Sequence, residues 1–240
     1  MNVDDNSSLY SSVSALGANG ERSSVFPLQC YPHLQKITSV VVSLHEIRGL
    51  SRSLPVAFAR QGRRVRAVAI IGLPGAQNLL ARTVLPDALP LILRAFPLAL
   101  GGRSAEGHVG ILINDPPESA EHPGMPAFLE DGSMSRVTIE KSDALWLYAA
   151  TQEHSSKILR DLDERNAFET WPLRLTFDDR TLDVGDLLRV SSSFLQSPGY
   201  RDFIAIHGFE IAGSLHYHRM SLGMTRFLQE GEIPDRAASA

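Results

Sequence analysis

Hydrophobic positions recur with a period of two in the first half of the chain and at spacings of three and four in the second. The period-two pattern is clearest in residues 54–100. There, the runs 54–60 and 63–71 are apolar and rich in Val, Ile and Phe, and Gln61 and Gly62 join them, as in a β-hairpin. In the second run Val65, Ala67, Ala69 and Ile71 share one face, while Arg64, Arg66, Val68 and Ile70 share the other. The second face is polar only at its start. The strand is therefore expected to run from a wet edge into a core.

Around this hairpin the pattern predicts a strand at 40–42 and a brief helix or turn at 45–50, closed by Pro55. Residues 78–81 read as a third strand and 86–94 as two helical turns. Residues 96–100 and 109–114 read as strands joined by a glycine-rich loop. Segment 115–126 holds four prolines and reads as a surface loop, and 128–129 with 137–139 as a second hairpin. From Lys141 onward the period changes. Ala144, Leu147, Tyr148, Thr151, Ser155, Ile158, Leu159 and Leu162 line one face of an amphipathic helix of about six turns. Residues 172–177 and 181–190 form a further strand pair turned by Asp178 and Asp179. Ser197 and Pro198 then open a helix as N-cap and first helical residue. Gly208 should break it. A second helix, 209–229, sets Phe209, Gly213, Met220, Met224 and Phe227 on one stripe, with Ile211, Leu215 and Leu222 on the next.

Strands precede helices without βαβ alternation. That order predicts an α+β fold, a single domain whose antiparallel or mixed sheet carries the C-terminal helices. The polar segment 1–24 is expected to be a disordered tail, 25–230 the domain, and 231–240 a flexible end.

Charge changes this picture in one place. The chain is net −4, with no general pull toward nucleic acid or anionic lipid. Yet residues 48–66 contain six arginines and no acid, leaving −10 for the remainder. A solvated strand face and an anion-binding patch both account for such a window. Cys30 is the only cysteine, so neither an intrachain disulfide nor a thiolate metal cluster is available. The acidic N-terminus has no signal-peptide pattern. The longest apolar zone, 84–100, is broken by Pro86, Asp87, Pro90, Arg94 and Pro97, so no membrane span is expected. A cytoplasmic protein is the reading.

Candidate chemistry is sparse. His216 and His218 lie two apart on a helix, about 200° around its axis, and cannot share one ion. His218 instead joins the Ile211–Leu215–Leu222 stripe, the place of a core histidine. Asp178 with Asp179 reads as a turn, and Asp161, Asp163 and Glu164 as a polar helix end. Gly-x-Ser-x-Gly, dinucleotide and P-loop glycine spacings do not occur. Segment 72–78 could offer backbone N–H groups to an anion, though a plain turn accounts for it. No metal, no cofactor and no nucleic-acid partner are expected.

Several short motifs, in order and spacing, resemble the SapC-like family of bacterial proteins, which is associated with the surface layer and distinct from a peptide-transporter permease of similar name. They are Glu46 ahead of Leu54-Pro55-Val56-Ala57-Phe58, then Ala69-Ile70-Ile71-Gly72-Leu73 with Gly75 and Asn78. Leu89-Pro90-Leu91-Ile92-Leu93-Arg94-Ala95-Phe96-Pro97-Leu98, Trp171-Pro172-Leu173 and the small-residue helix 208–222 complete the set. Ala95 and Leu98 depart from it, standing where the family has arginine and phenylalanine. The resemblance carries over no settled catalytic activity, so the enzyme question stays open. It makes Glu46, Gly75, Asn78 and Arg94 the candidate ligand-binding residues. A structural reading competes for each: turn geometry for Asn78, a buried ion pair for Glu46 and Arg94. The implied function is that of a soluble accessory protein recognising a partner protein or small ligand. The alternative follows from the family's gene neighbours: a tailoring enzyme acting with a flavin-dependent halogenase-like system on an aromatic or peptide substrate. A deep pocket with converging polar groups would favour the enzyme.

Overall fold

The computed structural model describes residues 6–17, 23–73, 78–81, 88–103, 109–117, 124–177 and 180–225. In chain order these form β1 (Val13–Ala15), β2 (Ser24–Val25), β3 (Ser39–Val42), α1 (Ile47–Leu50), β4 (Val56–Gln61) and β5 (Arg64–Ile70). Then come α2 (Leu91–Ala95), β6 (Leu98–Arg103), β7 (Val109–Asn114), β8 (Met125–Pro126) and the 29-residue α3 (Arg136–Glu164). Last are β9 (Phe168–Thr170), β10 (Leu173–Phe177), β11 (Arg180–Val184), β12 (Leu187–Val190), α4 (Ser192–Leu195) and α5 (Pro198–Ser221). The strands pair antiparallel, as a five-stranded sheet β3-β5-β4-β12-β9, a three-stranded sheet β1-β7-β6, and the pairs β2-β8 and β10-β11. The architecture is α+β, as the hydropathy pattern predicts.

The expected hairpin forms, with Gln61 opposite Arg64 and Gly62 supplying the turn at φ +57°. Its second strand does run from a wet edge into a core. Arg64 is exposed, Arg66 half-buried, and Val68 and Ile70 fully buried. Val65, Ala67, Ala69 and Ile71 join the largest apolar cluster, under α3 and α5. Val68 and Ile70 join a second one with Ala57, Leu173 and Leu187, covered by the β10-β11 hairpin. The sheet is thus buried on both faces.

Helix α3, about 43 Å long at 1.5 Å per residue, serves two cores. Near its start Ala144 and Leu145 pack with Leu91, Ala95, Leu98 and Ile113. Near its end Ile158, Leu159 and Leu162 enter the largest cluster, each contributing about 2 kcal/mol through burial.

Four expectations are corrected. Residues 6–17, assigned to a disordered tail, are held in place. Asn6 Nδ2 donates to Val41 O (3.3 Å) and Asn6 Oδ1 accepts from Val41 N (2.8 Å), so one amide pairs the open edge of β3. Leu9 is fully buried, Tyr10 stacks on Phe96, and β1 pairs with β7. Residues 137–139 are the first turn of α3, not a strand, because Ser135 starts the helix there. Leu79–Ala81 is a 3₁₀ turn. The returning strand 181–190 is two strands, split where Asp186 adopts φ +65°. The expected turn at Asp178 and Asp179 lies outside the described residues.

Helix α5 follows the sequence reading more closely. Ser197 Oγ accepts from Tyr200 N (3.3 Å) ahead of Pro198, and Gly208 kinks the helix at φ +83°. Beyond the kink the two stripes have opposite fates. Ile211 and Leu215 are buried, whereas Phe209 is 83% and Met220 68% exposed. On the buried stripe, His218 lies between strands. The β12-β4 ladder pairs Leu188 with Phe58 and runs on toward Val190 and Val56. There the imidazole takes over: Val190 N donates to Nε2 (3.3 Å) and Nδ1 donates to Val56 O (2.7 Å). Ser221 Oγ, one turn on, accepts from Val56 N (3.0 Å).

The contact at Nε2 requires a neutral ring, and burial holds the His218 pKa down to about 4, from 6.5. An unfolded chain takes up this proton near 6.5. The stabilisation by His218 is therefore complete above pH 6.5 and is lost as pH falls toward 4, by about 3 kcal/mol. Urea midpoints measured between pH 7 and 4 should show this fall, and His218→Gln should lack that component while being less stable at pH 7.

Candidate functional site

A single carboxylate positions the wall on which the matched motifs meet. The 3₁₀ turn Leu44–Glu46 follows β3, and Glu46 Oε2 accepts from Ser43 N (2.8 Å). Its other oxygen, Oε1, accepts from Leu91 N (2.6 Å), the first residue of α2. The far end of α2 is held by Lys141 of α3, whose Nζ donates to Arg94 O (3.2 Å) and Phe96 O (2.6 Å). Burial lowers the Lys141 pKa to about 8. Ser155 Oγ of α3 accepts from Leu44 N (2.9 Å). Helix α3 therefore anchors both the 3₁₀ turn and α2.

These three elements enclose a cleft of about 590 Å³, within the range of small-molecule sites. Leu50, Ala88, Leu89, Leu91 and Leu147 give it an apolar lining, and His45, Glu46, Arg94 and Thr151 are its polar side chains. Three of those four are already engaged. Glu46 holds the two backbone N–H groups, and burial raises its pKa despite those bonds and the nearby Arg94 charge. Thr151 donates to Leu147 O (2.7 Å) in its own helix. His45 Nε2 meets His154 Nδ1 at 3.1 Å, and burial and that second ring lower its pKa. Arg94 differs. It is exposed, and among the described residues its guanidinium has neither an ion-pair nor a hydrogen-bond partner.

The structure thus brings Glu46 and Arg94 to one cleft, without the buried ion pair weighed for them. Asn78 belongs elsewhere. It is 2% exposed, donates to Leu34 O (2.6 Å) and Ile37 O (2.8 Å), and accepts from Leu80 N (3.0 Å). That is a structural clamp. Gly72 lets it close, since a Cβ there would sit 2.4 Å from Asn78 Cβ. Gly75 lies outside the described residues. The sequence reading missed His45, Leu50, Leu89, Leu147 and Thr151 as cleft residues. Leu147 and Thr151 did stand on the predicted apolar stripe of α3. Nothing in a periodic stripe marks which turns meet a core and which a cleft. The three C-terminal histidines are separate: His207 pairs with Asp161 (2.8 Å), His216 with Tyr200 Oη (2.8 Å), and His218 is between strands. No helix among the described residues is long and apolar enough to cross a membrane.

The family model described as SapC matches residues 23–228, a span that holds every residue of the cleft. No curated protein and no solved structure matches the chain.

The different roles of the two cleft residues are measurable by urea denaturation. Glu46→Ala leaves two N–H groups without their acceptor and should cost about 2–4 kcal/mol. Arg94→Ala removes an exposed cation with no ion-pair partner among the described residues and should stay within about 0.5 kcal/mol of wild type.

Proposed function

Since the chain belongs to the SapC family, we propose that its cleft is a recognition site and that the protein is an accessory protein binding a partner protein or a small ligand. The reading rests on one observation: an Arg94 without an ion-pair partner among the described residues, beside an apolar wall of Leu50, Leu89, Leu91 and Leu147. Such a surface fits an apolar group that carries a carboxylate or another anion close by, the guanidinium taking the charge through its fork of donors. Leu147, left 53% exposed on α3, would be covered by the apolar part. Recognition is favoured over turnover because Glu46 and Thr151 have their side chains bound to backbone groups. A tailoring enzyme acting beside a halogenase-like system would need an acid, base or nucleophile at liberty to move a proton. The single cysteine suits a protein working in the reducing cytoplasm.

The test uses two probes, decanoate and 3-phenylpropionate, and thermal denaturation of the full chain. Stabilisation that rises with the logarithm of concentration is expected from at least one of them, about 2.7 kcal/mol at a hundredfold excess over Kd. Arg94→Ala and Leu147→Glu should melt normally and lose that response. Equal responses in wild type and both variants, or none in any, would remove the cleft from consideration. A partner recovered from native cells in equal amount by wild type and by both variants would do the same.

A further inference from the structure

Part of the arginine-rich window identified in the sequence gathers at one end of the β4-β5 hairpin, where Arg63 and Arg64 are exposed and Arg66 is half-buried. The β4-β5 hairpin extends beyond the end of β3, whose last pairing is Val42 with Ala67. The projecting end lies against α3. Between them is a niche of about 120 Å³, lined by Arg63, Arg64, Val65 and Arg66 from the hairpin and by Ser156, Arg160 and Asp163 from α3. This niche is separate from the cleft: the two share no lining residue.

Charge in the niche is unbalanced. Asp163 is the one acid among the described lining residues, and both its oxygens accept from Arg60, Oδ2 from Nη1 at 2.9 Å and Oδ1 from Nη2 at 2.6 Å. Arg66 Nη1 donates to Ser156 Oγ (2.8 Å), which fixes the guanidinium against α3 without neutralising it. Arg66 Nε is fully buried with no partner, and so is Gln152 Nε2, one turn before Ser156 on the same helix. Among the described residues Arg63, Arg64, Arg66 and Arg160 make no ion pair. Arg63, Arg64, Arg66 and Arg160 therefore line one small niche, with Arg66 partly withdrawn from water. Confining like charges and leaving a buried donor unpaired both cost free energy. A bound anion offsets the first.

From this juxtaposition we propose that the niche between the β4-β5 hairpin and α3 is a binding site for a single phosphate group. The volume suits one tetrahedral oxyanion and excludes a nucleoside. Guanidinium forks match phosphate oxygens in pairs, which a lone chloride does not exploit. Arg64 and Arg160 come from opposite walls, so one anion can bridge strand and helix. Ser156 adds a hydroxyl. The phosphate group is borne either by a free anion or by a lipid headgroup, and the two sources are separable by experiment.

The full chain is titrated with inorganic phosphate by calorimetry at low ionic strength, against sodium chloride of matched ionic strength. One saturable site is expected for phosphate and none for chloride. Arg64→Gln and Arg160→Gln, both at exposed positions, should each weaken phosphate binding about tenfold, which is 1.4 kcal/mol, and together abolish it without changing the melting temperature in chloride. Sedimentation with phosphatidylcholine vesicles containing phosphatidic acid assigns the source. Co-sedimentation that phosphate competes away points to a headgroup, and phosphate binding without co-sedimentation points to the free anion. The proposal is overturned if phosphate does not saturate at millimolar concentration, if chloride matches it, or if the double variant binds as wild type does. Duplex DNA bound more tightly than phosphate, through the same arginines, would also overturn it.

Discussion

The neutral imidazole of His218 is the contact on which the rest of the arrangement depends. The β12-β4 ladder cannot close at Val190 and Val56, and two strand backbones there need partners. A buried N–H or C=O left unpaired would be costly. His218 and Ser221, three residues apart on α5 and so on one face, supply a donor and two acceptors to that gap. The ring packs 4.5 Å from Phe58. By joining α5 to the middle of the five-stranded sheet, it also sets where α5 passes over α1. There Arg48 lies over the Tyr217 ring at 5.6 Å.

Helix α3 sets the second constraint. Its start packs into one core and its end into another, and its more exposed positions are left to form walls of two concavities. Leu147 and Thr151 line the cleft, while Ser156, Arg160 and Asp163 line the arginine niche. Between these two stretches Ser155 faces inward and accepts from Leu44 N. One helix thus separates a largely apolar cleft lined by Arg94 from a smaller niche lined by Arg63, Arg64, Arg66 and Arg160.

Glu46 shows how a motif residue can organise the backbone around it. Its carboxylate is shared between the turn after β3 and the start of α2, and this brings the two halves of the matched motif set together. Arg94, one turn along α2, is thereby presented to the cleft. The carboxylate builds the wall and the guanidinium faces outward.

What the sequence determined by itself was local. The hairpin at 56–70, the helix under Ile158, Leu159 and Leu162, the Ser197–Pro198 start and the break at Gly208 all follow from spacing, capping chemistry or a missing Cβ within a few residues. The arginine window was equally plain as composition. Tertiary structure alone decided matters that depend on partners far along the chain. Asn6 is ordered because Val41, 35 residues away, presents an open strand edge. Residues 137–139 carry strand-like side chains, yet they are helical because they continue into α3. Asn78 acts as a clamp because Leu34 and Ile37, distant in the chain, present their carbonyls to it. Glu46 and Arg94 share a cleft, and Arg64 and Arg160 a niche, only after folding. Propensity and periodicity describe neighbours along the chain, whereas a site is made of neighbours in space.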